Sequence, residues 1–161
     1  MSTILGRTTA TLEPQHSFRF AREMKLQPGL IKVRQPDLAS YVQKAQEERL
    51  PVYMLPRTGI VDRASFFDAL RATLPLDPPI QSARSWDALS DSLWGGLDAL
   101  DADHVLIVWP NAAAMIPASR MEYDQALTVL TDVATMLADP KVMKGKPKQV
   151  SIIVGEDDAT D

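Results

Sequence analysis

Two aspartates, Asp87 and Asp91, stand four residues apart in this 161-residue chain. On a helix they lie about 40° from each other, because each residue advances about 100°. A carboxylate pair of this kind supports two kinds of chemistry. One is acid and base work on a glycosidic bond; the other is an electrostatic surface for a cationic partner. The first needs a cleft and an apolar pocket that raises one carboxyl. The surrounding residues offer neither, since both aspartates fall on one polar helix face. The second needs a field that nothing nearby neutralises, and no Lys or Arg occurs from Ser85 through Ser119. Like charges one turn apart cost a helix about 0.2–0.5 kcal/mol. The same pattern also fits an ordinary solvated helix face, so charge alone leaves both readings open.

Other candidates carry less. Both histidines, His16 and His104, are isolated. Asp101 and Asp103 beside His104 suggest a metal or an acid/base pair, but a solvent-touching turn residue is the simpler reading. With no cysteine, disulfides, thiolate zinc and a cysteine nucleophile are all excluded. Gly95-Gly96 and Gly145 do not form a phosphate loop or dinucleotide fingerprint, and no Gly-x-Ser-x-Gly elbow occurs. The scattered methionines read as core fillers. Lys141, Lys144, Lys146 and Lys148 read as a solvated loop. No cofactor and no metal are expected. A net charge of -4 gives no field for phosphates, so nucleic acid is not expected as a direct partner. No apolar run approaches about 20 residues, and no basic segment leads into an apolar one after Met1. The expected partner is therefore not a membrane, and the expected location is the cytoplasm.

The elements that position the aspartates follow from periodicity. Residues 1–36, with Pro14, Pro28 and Pro36, suit short strands, an ordered arm or a leader. Asp37 reads as the N-cap of a helix over 37–49 with Leu38, Val42 and Ala45 on one face. Residues 50–56 read as a short buried strand between prolines. Ser65 to Asp68 has capping-box spacing and opens a helix to about Leu74. After the Pro75, Pro78 and Pro79 loop, helical spacing runs from Ser85 to Gly95-Gly96 or slightly beyond. Trp86, Leu89 and Leu93 form its apolar side. Continuation past the glycines, each costing about 1 kcal/mol, would add Leu97 and Leu100 to the apolar stripe and Asp98 and Asp101 to the acidic one. Val105-Leu106-Ile107-Val108-Trp109 suits a strand covered on both faces. Residues 123–137 form an amphipathic helix and 150–154 the last strand, ended by Gly155. Strands separated by helices imply right-handed crossovers and a small three-stranded parallel sheet.

Trp86-Asp87-Ala88-Leu89-Ser90-Asp91-Ser92-Leu93 resembles the inhibitory-helix signature of the barstar family: an aromatic or Leu, then Asp-Ala-Leu-x-Asp-x-Leu. Residues 59–70 are similar to that family's strand-to-first-helix segment. Leu106-Ile107-Val108-Trp109 is similar to its second strand, and residues 123–130 and 150–154 to its last helix and strand. The resemblance implies an α/β domain over 51–155, with an N-terminal extension over 1–50 and an acidic tail over 156–161. It implies a three-stranded parallel sheet flanked by helices, and a helix and loop that block the active site of a small basic ribonuclease. By the same resemblance, Asp87 and Asp91 would take the place of substrate phosphates, with Asp124 near a further acidic contact.

The chain departs from the family's pattern before the helix. Residues 80–85 read Ile-Gln-Ser-Ala-Arg-Ser where aromatics, then Gly and Asn, are common. Arg84 adds a positive charge there, and Ser90 stands between the aspartates where the namesake has an aromatic. Trp94 offers a replacement anchor, as Trp is favoured at interface hot spots, or packs under the Pro-rich loop. The expected function is inhibition of a basic ribonuclease or related toxin, as an immunity protein or antitoxin. The alternatives are a non-inhibitory interaction module on the same scaffold, and an enzyme or small-ligand protein with its site at the sheet's C-terminal edge around Arg57, Asn111 and Gly155.

Overall fold

A computed structural model describes residues 25–156 of the chain. Its strands are β1 (Gly29–Arg34), β2 (Val52–Met54), β3 (His104–Trp109) and β4 (Gln149–Glu156). Its α-helices are α1 (Leu38–Glu47), α2 (Arg63–Thr73), α3 (Trp86–Asp98) and α4 (Arg120–Ala138). All strand pairs are parallel, in the order β1-β4-β3-β2. The sheet therefore has four strands, not the three expected. The additional strand comes from the segment set apart as an N-terminal extension. β1 runs beside β4 from Gly29 opposite Ser151 to Arg34 opposite Glu156.

The order explains the layers. The connection from β1 to β2 crosses the whole sheet in one direction, while β2 to β3 to β4 returns in the other. Right-handed crossovers running in opposite directions place their helices on opposite faces. Thus α1 covers one face, with Leu38 and Ala45 on Leu106, Val108 and Ile153. Helices α2, α3 and α4 cover the other, with Phe66, Leu70, Leu89, Leu93 and Leu130 on Val105, Ile107 and Trp109. From Val105 to Trp109 β3 alternates between these clusters, which is why that run is apolar at every position. Each such side chain contributes about 1.5–3 kcal/mol on burial.

Local signals set the helix boundaries. Asp62 caps α2: its carboxylate accepts the Ser65 N–H at 2.9 Å, while the Ser65 hydroxyl accepts the Asp62 N–H at 3.0 Å. The capping box thus opens with Asp62 rather than Ser65, and Asp68 instead pairs with Arg71. Asp37 stands at the N-cap of α1 without a side-chain cap bond, behind a short 3-10 turn over Gln35–Asp37. Gly155 lies inside β4 instead of ending it. Among the described residues no helix is long and apolar enough to cross a membrane.

Candidate functional site

Helix α3 presents the two aspartates. Ser85 is its N-cap, its hydroxyl accepting the Ala88 N–H at 3.0 Å. Asp87 then falls in the first turn, where the partial positive charge of the helix terminus favours a carboxylate. Leu89 and Leu93 are fully buried and fix the helix's rotation. Trp86 reinforces them, its ring 5.1 Å from that of Phe67 and 6.0 Å from that of Phe66. The opposite side leaves Asp87 and Asp91 exposed and Ser90 half-buried. Among the described residues neither aspartate forms an ion pair. Among the described residues the acidic face is therefore unneutralised by any ion pair, and no Lys or Arg lies close to it in sequence from Ser85 through Ser119.

The glycines do not end the helix. Gly95 and Gly96 continue it to Asp98, and their bare Cα atoms have a packing role. A Cβ on Gly95 would collide with the Asp77 carbonyl, and one on Gly96 with the Pro75 carbonyl. The Pro-rich loop thus crosses α3 directly over the pair. Ser92 adds to this join by donating its hydroxyl to the Pro78 carbonyl. Leu97 extends the buried stripe and Asp98 the exposed side, whereas Leu100 and Asp101 lie past the helix end.

The remaining candidates are placed differently from one another. Trp94 is half-buried and packs against the main core; its indole N–H is buried without a hydrogen-bond partner. Trp94 is thus held partly by the core rather than standing fully free on the surface. The Arg84 side chain is exposed, while its carbonyl accepts from Arg63. In the same loop Ile80 and Ala83 turn inward onto the core. Asp124 is exposed on α4 and paired with Arg120 at 3.6 Å. Met121, next to it in the first turn of α4, is 75% exposed.

Two residues read from sequence as solvent-touching turn or loop residues are engaged by the fold, His104 half-buried and Lys148 buried. His104 is the first residue of β3, and its Nε2 lies 2.8 Å from the Ser151 hydroxyl. That hydroxyl donates to the Gln27 carbonyl at 2.6 Å, so Nε2 carries the proton and donates to Ser151. Burial holds the His104 pKa below its ordinary value, against the opposing charge of Glu48. Lys148 is buried, and its Nζ donates to the Leu100 carbonyl at 2.6 Å just beyond the α3 C-terminus. Desolvation lowers its pKa while Asp98, Asp103 and Asp101 oppose the shift. Among the described residues no cluster of His, Cys, Asp or Glu is arranged to hold a metal.

At the C-terminal sheet edge the small-ligand residues are engaged with one another. The Asn111 amide donates to the Arg57 carbonyl at 3.5 Å, and the Asn111 backbone N–H donates to the Gln35 side chain at 2.9 Å. That Gln35 amide occupies the space a Cβ on Gly155 would need. A groove of about 740 Å³ lies alongside, between α1 and the end of β2, lined by Leu38, Val42, Met54 and Arg57. It is open, and its lining mixes apolar groups with the polar residues Gln35, Gln43 and Gln46.

Comparison with known proteins adds the family. Neither curated proteins nor solved structures return a match. A family model described as barstar, the barnase inhibitor, matches residues 51–147, which is more than half of the chain and includes all of α3. With the parallel sheet and the acidic helix in the order that the family signature implies, the chain belongs to the barstar family.

Proposed function

We propose that this protein is an inhibitor that blocks a small basic ribonuclease, or a related toxin, with the exposed face of α3. One observation carries the reading: among the described residues Asp87 and Asp91 form no ion pair, on a helix whose other side is locked into the core. The family is described as a barnase inhibitor. In such a complex the two carboxylates would meet the cationic groups that hold substrate phosphates, as charge-assisted hydrogen bonds. Arg84 and Ser90 would form the neighbouring contact surface. Asp124 would contribute less, because Arg120 already engages it. The role would be that of an immunity protein or antitoxin acting in the cytoplasm beside its nuclease.

The test is titration calorimetry of the full chain against barnase and against any basic nuclease encoded beside it, paired with an RNA-cleavage assay. Tight, salt-sensitive binding that stops cleavage and weakens in Asp87→Ala is the expected result. Binding that is indifferent to both Asp87→Ala and Asp91→Ala would move the contact elsewhere.

A second reading has its own observation. Ile80 and Ala83 pack inward, so the loop before α3 offers no apolar group to fill an active site. On that basis the scaffold would serve as a non-inhibitory interaction module. Binding of a protein partner with RNA cleavage left intact is the result that favours it.

A further inference from the structure

One side chain ties together the segments that lead into the acidic helix. Arg63 is the first residue of α2, where a cation opposes the positive end of the helix dipole. Its charge therefore does nothing for α2 itself. Apart from the Phe67 ring one turn on, its contacts lie outside that helix. Nη1 lies 3.3 Å from the Glu122 carboxylate in the first turn of α4. Nη2 donates to the carbonyl of Arg84, immediately before the α3 N-cap. The guanidinium also lies over two rings, 5.2 Å from the centre of Trp86 and 5.9 Å from that of Phe67. A planar fork that donates in two directions while stacking on aromatic faces is specific to Arg; a Lys ammonium keeps the charge but not that geometry.

The loop over residues 75–85 is otherwise sparsely held at this end. Its lower part lies over Gly95 and Gly96. Farther on, Arg71 donates to the Ile80 carbonyl at 3.3 Å. Gln81, Ser82, Arg84 and Ser85 are exposed. Arg63 is thus the side chain that joins the last loop residues and the first residue of α3 to α2 and α4 together.

We propose that Arg63 is a positioning residue that holds the loop over residues 80–85 and the first turn of α3 in one fixed presentation to the partner. The partner half of this statement rests on the function proposed above; the hold on the loop does not. Loss of Arg63 frees the Arg84 carbonyl and removes one contact from the Trp86 ring, which Phe66 and Phe67 still hold, so the loop opens locally while the sheet and its helices stay folded.

The Arg84–Ser85 bond is itself a trypsin site with an exposed Arg side chain, and the Arg84 carbonyl that Arg63 holds is the carbonyl trypsin attacks. The experiment is limited trypsin digestion of the native full chain, wild type against Arg63→Lys and Glu122→Gln. Cleavage at Lys44–Ala45 inside α1, on the other face of the sheet with Ala45 fully buried, reports global opening. Under native conditions cleavage tracks the population of the opened form, so Arg63→Lys is expected to raise the ratio of cleavage at Arg84–Ser85 to that at Lys44–Ala45 about tenfold. Glu122→Gln, which removes one tether only, should raise it less. A proportional rise at both sites, or a change of less than about twofold in the ratio, would overturn the proposal.

The partner half is read with barnase as the probe. Arg63→Lys is expected to release it about tenfold faster with little change in association. A raised cleavage ratio with unchanged release, where Asp87→Ala does weaken binding, would overturn the presentation role. Binding indifferent to Asp87→Ala would instead sink the inhibitory surface, and the cleavage ratio would still decide whether Arg63 holds the loop.

Discussion

The backbone N–H of Asp77 donates to the carbonyl of Ser92 at 2.9 Å, fastening the Pro-rich loop across the middle of α3. The Ser92 hydroxyl returns a bond to the Pro78 carbonyl, and Gly95 and Gly96 leave room for the loop backbone. An Ala at a permissive helix position gains about 1 kcal/mol over Gly. Here Gly96→Ala is expected to lose about 1–3 kcal/mol, because the added methyl overpacks the Pro75 carbonyl. Urea unfolding with an unchanged m-value is the check. A more stable variant would mean that the loop does not lie over this turn.

Lys148 should behave as a core residue despite its place in a basic loop. Its ammonium is the partner of the Leu100 carbonyl, beside Asp98, Asp101 and Asp103. Lys148→Met keeps the stem but strips that carbonyl of its donor, at an expected cost of about 1–3 kcal/mol. Lys144→Met, on the exposed part of the same loop, is expected to change stability by less than about 0.5 kcal/mol. Equal effects from the two, measured by thermal or urea unfolding, would refute the assignment.

Stability should fall on mild acidification, with His104 as one cause. Burial lowers its folded pKa from 6.5, so the unfolded chain takes up the proton first and holds more protons as pH falls below that value. The neutral form's stabilising contribution is therefore complete above about pH 6.5 and is lost as pH drops through the lower folded pKa. Asp62, whose pKa the Ser65 bonds hold down, adds a loss of the same sign at lower pH. His104→Gln is expected to flatten the melting-temperature profile between about pH 7.5 and 5.5 relative to wild type. An unchanged slope would show that His104 is not responsible.

The acidic residues should differ in their effect on partner association. Asp91 is unpaired and Asp124 is engaged by Arg120. Asp91→Ala is expected to slow association with barnase about threefold to tenfold at low salt, with the difference shrinking as salt screens the field. Asp124→Ala should slow it less. Stopped-flow association rates at several salt concentrations decide, and a larger effect at Asp124 would shift the electrostatic centre from α3 to α4.

What the sequence by itself determined is local. The strict apolar run of β3, the amphipathic period of α4 and the Trp86 to Leu93 pattern of α3 each follow from neighbours within a few residues. So do the burial of Leu89 and Leu93 and the exposure of Asp87 and Asp91. The family resemblance rests on the same contiguous segments, and the matched span of residues 51–147 bears it out. Tertiary structure alone decided what depends on distant partners. β1 is an edge strand with Ile31 42% exposed and no clean alternation, so its place beside β4 is set by pairing across more than a hundred residues of chain. Arg63 and Lys148 look like ordinary surface cations until the fold brings the Arg84 and Leu100 carbonyls to them. His104 looks like a turn residue until the sheet brings the Ser151 hydroxyl within 2.8 Å of its ring. The glycine pair reads as a helix end because propensity counts the entropy of Gly; the loop carbonyls that require it come from a segment that periodicity cannot place.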